Sequence, residues 1–168
     1  MTRRILMSVA VLMALVGLMA LVGWMLPVGH RATRSALIDA PPARVFEAVS
    51  QVDQYPSWRT GVTAVQVLPD DGRGRRFRED GSNGPIIFRI ESSVAPSRFL
   101  TRIDDPDQPF GGTWTYELAA EGAGTRLTIT EDGEVYNPVF RFLSRFVFSQ
   151  TATMEQYLAD VQKYLATR

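Results

Sequence analysis

Cysteine is absent from the 168 residues, which excludes disulfides, thiolate chemistry and cysteine-based zinc sites. Histidine occurs once, at His30 beside a long apolar segment, which argues against a histidine-based metal site or a Ser-His triad. Net charge is absent too, with 18 basic and 18 acidic residues, so the chain lacks the basic face of a nucleic-acid binder. Lysine is almost missing: Lys163 stands alone among the basic residues, which biased codon usage explains more simply than a need for guanidinium groups. The glycine pairs Gly111-Gly112 and Gly81-Ser82-Asn83-Gly84 read as turns, since neither opens a helix as a phosphate loop must. No metal or cofactor is indicated. What remains is an ordinary globular composition, 45% apolar and 21% charged, long enough for one domain and an appendage.

The appendage is residues 5–26, a run without charge in which only Ser8 is polar. At about 1.5 Å per residue such a run spans the roughly 30 Å hydrocarbon core of a bilayer. Trp24 sits near its end, where interfacial aromatics concentrate. A cleaved signal peptide is the competing reading, since Arg3 and Arg4 resemble a charged leader. The run exceeds the about 7–15 residues of a signal core and no small-x-small site precedes Pro27, so an uncleaved single-pass anchor is favoured. Arg3 and Arg4 compete with Arg31 and Arg34 in setting orientation; a short tail inside and an exported domain is the preferred arrangement. Residues 27–34 then form a short connector, dividing the chain into an anchor, 1–27, and a domain, 28–168.

The domain is organised around residues 137–168. Val139, Leu143, Phe146, Val147, Met154, Tyr157, Leu158, Val161 and Leu165 recur at helical steps, after a Pro138 suited to a first turn. One long helix is expected, with Ser149-Gln150-Thr151 the place for a single break. Ahead of it, residues 31–38 suit a strand and residues 43–49 a short helix with Val45, Phe46 and Val49 on one face, followed by a second helical turn around Tyr55-Pro56-Ser57-Trp58. From residue 62 onward apolar residues alternate with polar ones: Ile86, Phe88 and Ile90, then Phe99, Thr101 and Ile103, then Trp114, Tyr116 and Leu118, then Leu127 and Ile129. Regular spacing with short turns makes this an antiparallel meander.

Three stretches carry a family likeness: Ile38-Asp39-Ala40-Pro41-Pro42-Ala43-Arg44-Val45-Phe46, Asp53-Gln54-Tyr55-Pro56-Ser57-Trp58-Arg59, and Gly124-Thr125-Arg126-Leu127-Thr128-Ile129-Thr130-Glu131 leading to Asn137-Pro138. In this order they resemble the SRPBCC superfamily, which takes in START, birch-pollen-allergen-like and polyketide cyclase/dehydrase-like proteins. The resemblance implies an α+β helix-grip fold: a curved antiparallel sheet of about six to seven strands around a long C-terminal helix, with two short helices after the first strand. It also implies a cavity between sheet and helix, lined by Trp58, Phe77, Phe88, Ile90, Trp114 and Tyr116 from the sheet side and by Phe140, Met154 and Tyr157 from the helix. Core packing is the plain alternative for any one of these; together they suit a hydrophobic small molecule or lipid.

The superfamily includes carriers, receptors and enzymes, so fold does not decide chemistry. Binding near the bilayer is the first reading; a cyclase-, dehydrase- or hydrolase-type enzyme using Glu131 or Tyr116 is the second; a domain whose cavity is filled by its own side chains is the third. Glu131 shares strand parity with Leu127 and Ile129, so it points inward if that face is the core. Asp132, Glu134, Arg59 and Arg102 are further candidates, Arg59 as a partner for a ligand carboxylate; the alternative makes residues 131–134 a solvated strand end and turn, and Arg59 a surface charge closing the second helix. Nothing in the sequence names a protein partner.

Overall fold

The computed structural model describes residues 2–82 and 84–167; Met1, Arg168 and Asn83 of the expected turn lie outside it, as do the side chains of Thr2 and Arg3. Good helix formers without proline build α1 (Thr2–Met25), whose stretch Arg4–Met25 has mean hydropathy 2.8 and is long and apolar enough to cross a membrane. Pro27 ends it, and β1 (Gly29–Ile38) begins two residues earlier than the expected strand at residue 31. The eight-residue connector is therefore a correction: Leu26, Pro27 and Val28 alone separate helix from sheet, and the Val28 carbonyl already accepts from Val135 N at 2.9 Å.

Pro42 opens α2 (Pro42–Ser50), which buries Val45, Phe46, Ala48 and Val49. A 3-10 turn, Val52–Ser57, follows, pinned by the Tyr55 hydroxyl donating to the Val49 carbonyl at 2.6 Å. The meander is β2 (Val62–Val67), β3 (Arg76–Gly81), β4 (Gly84–Val94), β5 (Arg98–Ile103), β6 (Phe110–Glu121) and β7 (Gly124–Val135). All pairings are antiparallel, in the order β1-β7-β6-β5-β4-β3-β2, so the last strand lies between the first and the sixth. Register shifts at Val62/Ala64 and Ile90/Ser92 bend the sheet, as bulges do.

The concave face is apolar where alternation puts it: Phe77, Phe99, Tyr116, Leu118, Leu127 and Ile129 are buried there, with Met154, Leu158 and Val161 of α4 (Ala152–Ala166) in the same core. Asp160 of α4 accepts from Thr60 N at 2.7 Å and from its hydroxyl at 2.9 Å, tying the helix to the start of β2. The single long helix is broken, with α3 (Pro138–Phe146) separated from α4 by residues 147–151. The continuous apolar face fails at Phe146 and Val147, which are 61% and 62% exposed. The physical reason is that α3 packs mainly on α1 and meets the sheet chiefly at β7, so helical periodicity served two different partners.

Candidate functional site

A cavity of about 300 Å³ lies between the concave face of the sheet and the segment running from α3 into α4. Its walls are largely apolar. Phe77 and Phe88 stack with ring centroids 5.3 Å apart, and Phe110, Phe140 and Phe148 form a second aromatic series at 6.5 and 6.2 Å.

Two polar pairs interrupt these walls. The first is on β7, where Glu131 stands opposite Ala32 of β1 and Trp114 of β6. Trp114 Nε1 donates to Glu131 Oε2 at 3.0 Å, and His30 Nε2 lies 3.2 Å from Oε1. His30 can lie against the strand because its cross-strand partner is Gly133: a Cβ there would overlap the imidazole. Burial pushes the Glu131 carboxyl above its usual value, and His30 and Trp114 only partly oppose this. A neutral carboxyl at this point donates a hydrogen bond and an ionised one accepts, which are the two states a general acid or base needs. Glu131 is thus not on a solvated strand end: residues 131–134 sit within β7, paired on both sides, and of its acidic residues Asp132 and Glu134 are the exposed ones.

The second pair is Arg59 with Glu79, Nη1 to Oε2 at 2.6 Å, their side chains 14% and 15% exposed. The guanidinium lies 4.6 Å from the centre of the Tyr55 ring and 4.9 Å from that of Tyr157. Burial works against its charge, but Glu79 and the neighbouring tyrosines hold its pKa above the ordinary value. Arg59 is therefore not a surface charge closing a helix. Tyr116 is buried beside it, its hydroxyl pushed well up by loss of solvent.

Of the residues expected at the cavity, Phe77, Phe88, Trp114, Tyr116, Phe140 and Glu131 line it. Trp58, Ile90, Met154 and Tyr157 do not, each for a packing reason. Trp58 stacks on Tyr164 at 5.6 Å; Met154 is wholly buried in the core; Tyr157 is spent against Tyr116 and Trp58, both at 5.3 Å. Ile90 lies at the β4 bulge and lines a separate surface depression with Phe99 and Arg75. The helix wall comes from α3 and the turn after it, not from the body of α4. Arg102 pairs with Glu91 outside, and Asp132 faces solvent near Arg31. His30 and Glu79 escaped the sequence reading although parity marks both: His30 shares a face with Ala32, Ala36 and Ile38, and Glu79 with Phe77.

Structures with the same fold are numerous. A START superfamily protein from Mycobacterium smegmatis aligns with TM-score 0.66 at 19% identity, covering 82% of this chain and 98% of that one. A Streptomyces aromatase/cyclase aligns with TM-score 0.66 at 13% identity, covering 83% and 95%. Norcoclaurine synthase from Thalictrum flavum aligns with TM-score 0.65 at 9% identity, covering 84% and 88%. At these identities the likeness establishes the fold alone. No curated protein sequence matches the chain. The family described as polyketide cyclase / dehydrase and lipid transport matches residues 29–166, nearly all of the chain beyond α1, and the protein belongs to that family.

Proposed function

We propose that the protein holds a hydrophobic small molecule or lipid in this cavity while α1 anchors it in a bilayer, with residues 1–27 as anchor, residues 28–168 as binding domain, and the domain on the extracytoplasmic side. One observation carries the reading: an apolar cavity of about 300 Å³, at the small end of ligand pockets, contains two buried polar pairs and is bounded by Phe140 and Phe148 of the segment next to α1. A ligand matched to it is amphiphilic, its apolar part against the aromatic walls and its polar end against Glu131 and His30. A tether of three residues keeps the domain at the membrane surface, which raises the effective concentration of anything dissolved in the lipid.

The test is native mass spectrometry and lipid extraction on the full chain in mild detergent, beside Trp114→Arg. A stoichiometric hydrophobic species lost from the variant supports carriage. An empty wild-type protein with an intact fold sinks it.

A second reading is favoured by the raised carboxyl of Glu131 beside His30: acid–base catalysis on the bound molecule. Glu131→Gln separates the two. A carrier keeps the same molecule in wild type and variant, whereas an enzyme lets the variant accumulate a chemically different one.

A further inference from the structure

We infer that α3 and the turn after it form an interfacial flap, embedded in the surface of the bilayer that α1 spans, so that the cavity exchanges its ligand with lipid and not with bulk water. The inference rests on the anchoring role proposed for α1. It is carried by how α3 is joined to that helix.

Arg141 is the joint. Its side chain is buried and, among the described residues, meets no carboxylate; its donors go to four backbone carbonyls. Nε donates to Val135 O at 2.8 Å and Nη2 to Tyr136 O at 3.1 Å, holding the start of α3 to the end of β7. Nη1 donates to Gly23 O at 3.2 Å, which also accepts from Leu26 N at 3.3 Å, and to Leu26 O at 3.1 Å just past the helix end, where carbonyls run short of helical donors. A cation at that end also meets the negative pole of the helix dipole. Gly23 lets the two backbones touch, because a Cβ there would overlap the Pro138 carbonyl. Helix, strand end and α3 are thus one rigid elbow.

The elbow sets the depth of α3. Along the apolar run of α1, only Met19, Ala20, Val22, Gly23 and Leu26 are less than fully exposed, and α3 is the element packed there. A span needs about 20 apolar residues, and Arg4–Met25 has 22 residues including the charged Arg4 and the polar Ser8, so the last two turns of α1 are needed within or at the edge of the hydrocarbon. Anything packed against those turns shares their depth. Trp24, 73% exposed at the same level, marks the interface.

The side chains of α3 agree with that depth. Phe146, Val147 and Phe148 are 61%, 62% and 53% exposed and contiguous, an apolar patch more than half open. Arg145, exposed in the last turn, supplies the basic group that lipid phosphates attract. Phe140 and Phe148 are 37% and 53% exposed and also line the cavity, so the apolar patch continues into the cavity lining.

The absence of cysteine makes the test clean, since each introduced cysteine carries a single nitroxide label. Full-length Leu15→Cys, Phe146→Cys, Val147→Cys and Ala119→Cys, the last on the far end of β6, are reconstituted in phosphatidylcholine vesicles. Collision with oxygen is then compared with collision with a water-soluble nickel chelate. The expected result is an oxygen-to-nickel ratio at residues 146 and 147 several-fold above that at 119 and approaching that at 15. Adding Arg141→Met to Phe146→Cys drops the ratio toward the aqueous value while circular dichroism keeps the strand signal; Gly23→Val does the same should Arg141→Met fail to fold. Ratios at 146 and 147 equal to that at 119, with residue 15 in lipid, overturn the flap and leave the anchor standing. An aqueous residue 15 overturns both. Spin–spin broadening at 146 that vanishes on dilution with unlabelled protein places a second copy of the chain on this face and overturns the bilayer assignment.

Discussion

Replacing Glu79 by Gln tests whether the cavity floor is as dry as its geometry requires. The carboxylate accepts a 2.6 Å hydrogen bond from Arg59, and neither side chain is more than 15% exposed. Two unit charges about 4 Å apart attract by roughly 4 kcal/mol at an effective dielectric of 20, and removing one partner of a buried pair typically costs about 3–5 kcal/mol because the other stays buried and unpaired. The residual exposure sets the expectation at the low end, about 3 kcal/mol. The guanidinium keeps its faces on Tyr55 and Tyr157, worth about 0.5–1 kcal/mol each, so it does not simply swing into water. For a chain of this size, about 3 kcal/mol corresponds to a melting point lowered by roughly 6–12 °C.

The two single variants differ in a way that contact counting would miss. Arg59 cannot shed its proton, so Glu79→Gln is costly at every pH. In Arg59→Met the lone buried carboxylate can take one up. Arg59→Met is therefore expected to lose less stability in acid than at neutral pH, because a neutral carboxyl is cheaper to bury than a lone charge. The double variant Arg59→Met/Glu79→Leu removes both charges and returns to within about 1 kcal/mol of wild type. Thermal unfolding of the four full-length proteins in one detergent, followed by circular dichroism at acid and neutral pH, closes the cycle. A Glu79→Gln loss below about 1 kcal/mol, or a double variant as unstable as the sum of the singles, refutes the desolvated pair, since exposed pairs behave that way.

Glu131→Gln flattens the pH dependence of stability. Burial raises the folded carboxyl pKa, so wild type is relatively more stable below the unfolded value near 4.3 and loses that increment as pH rises, which melting curves from pH 4 to 8 in the two proteins detect. Gly133→Ala drives the His30 ring off Glu131 and is expected to reduce retained ligand, read by native mass spectrometry, while the strand signal persists. Asn137→Ala removes the side-chain oxygen that accepts from Phe140 N at 3.0 Å and costs about 1 kcal/mol, measured by thermal unfolding.

Alternation was enough to read the meander, because a curved sheet with one solvated face leaves a period of two in Phe77–Glu79, Ile86–Phe88–Ile90 and Leu127–Ile129. The apolar length of α1 and the three family motifs were equally plain. The break after Phe146 was readable only as a possible site, and for a physical reason. Helical periodicity reports that a face is apolar, not whether a sheet, another helix or lipid covers it. Glu131 and Tyr116 reached the cavity by parity, while Trp58 and Tyr157, equally aromatic, were consumed by each other. The partners of Arg59, Glu131 and Arg141 were out of reach, since each pairing depends on a strand register or helix docking between segments distant in sequence.

The same pairings narrow the ligand. A lone buried Arg59 would have matched a ligand carboxylate, but its charge is already matched by Glu79 and its faces lie on two tyrosines. An anion entering the cavity would have to break that pair and also lie with Glu131 in a medium that screens poorly. A cation finds Glu79, already paired with Arg59, Glu134, which accepts from the Tyr136 hydroxyl, and Glu131, whose two oxygens already meet His30 and Trp114 and whose neutral form burial favours. Neither sign of charge has an unspent partner, whereas a hydroxyl or carbonyl needs only one donor or acceptor, which the carboxyl supplies in either protonation state. For the ligand proposed above, these polar groups favour a neutral amphiphile with a hydroxyl or carbonyl end. Such a molecule partitions into the lipid that α1 is proposed to span, and it can cross a wall made of Phe140 and Phe148 without carrying a charge through it.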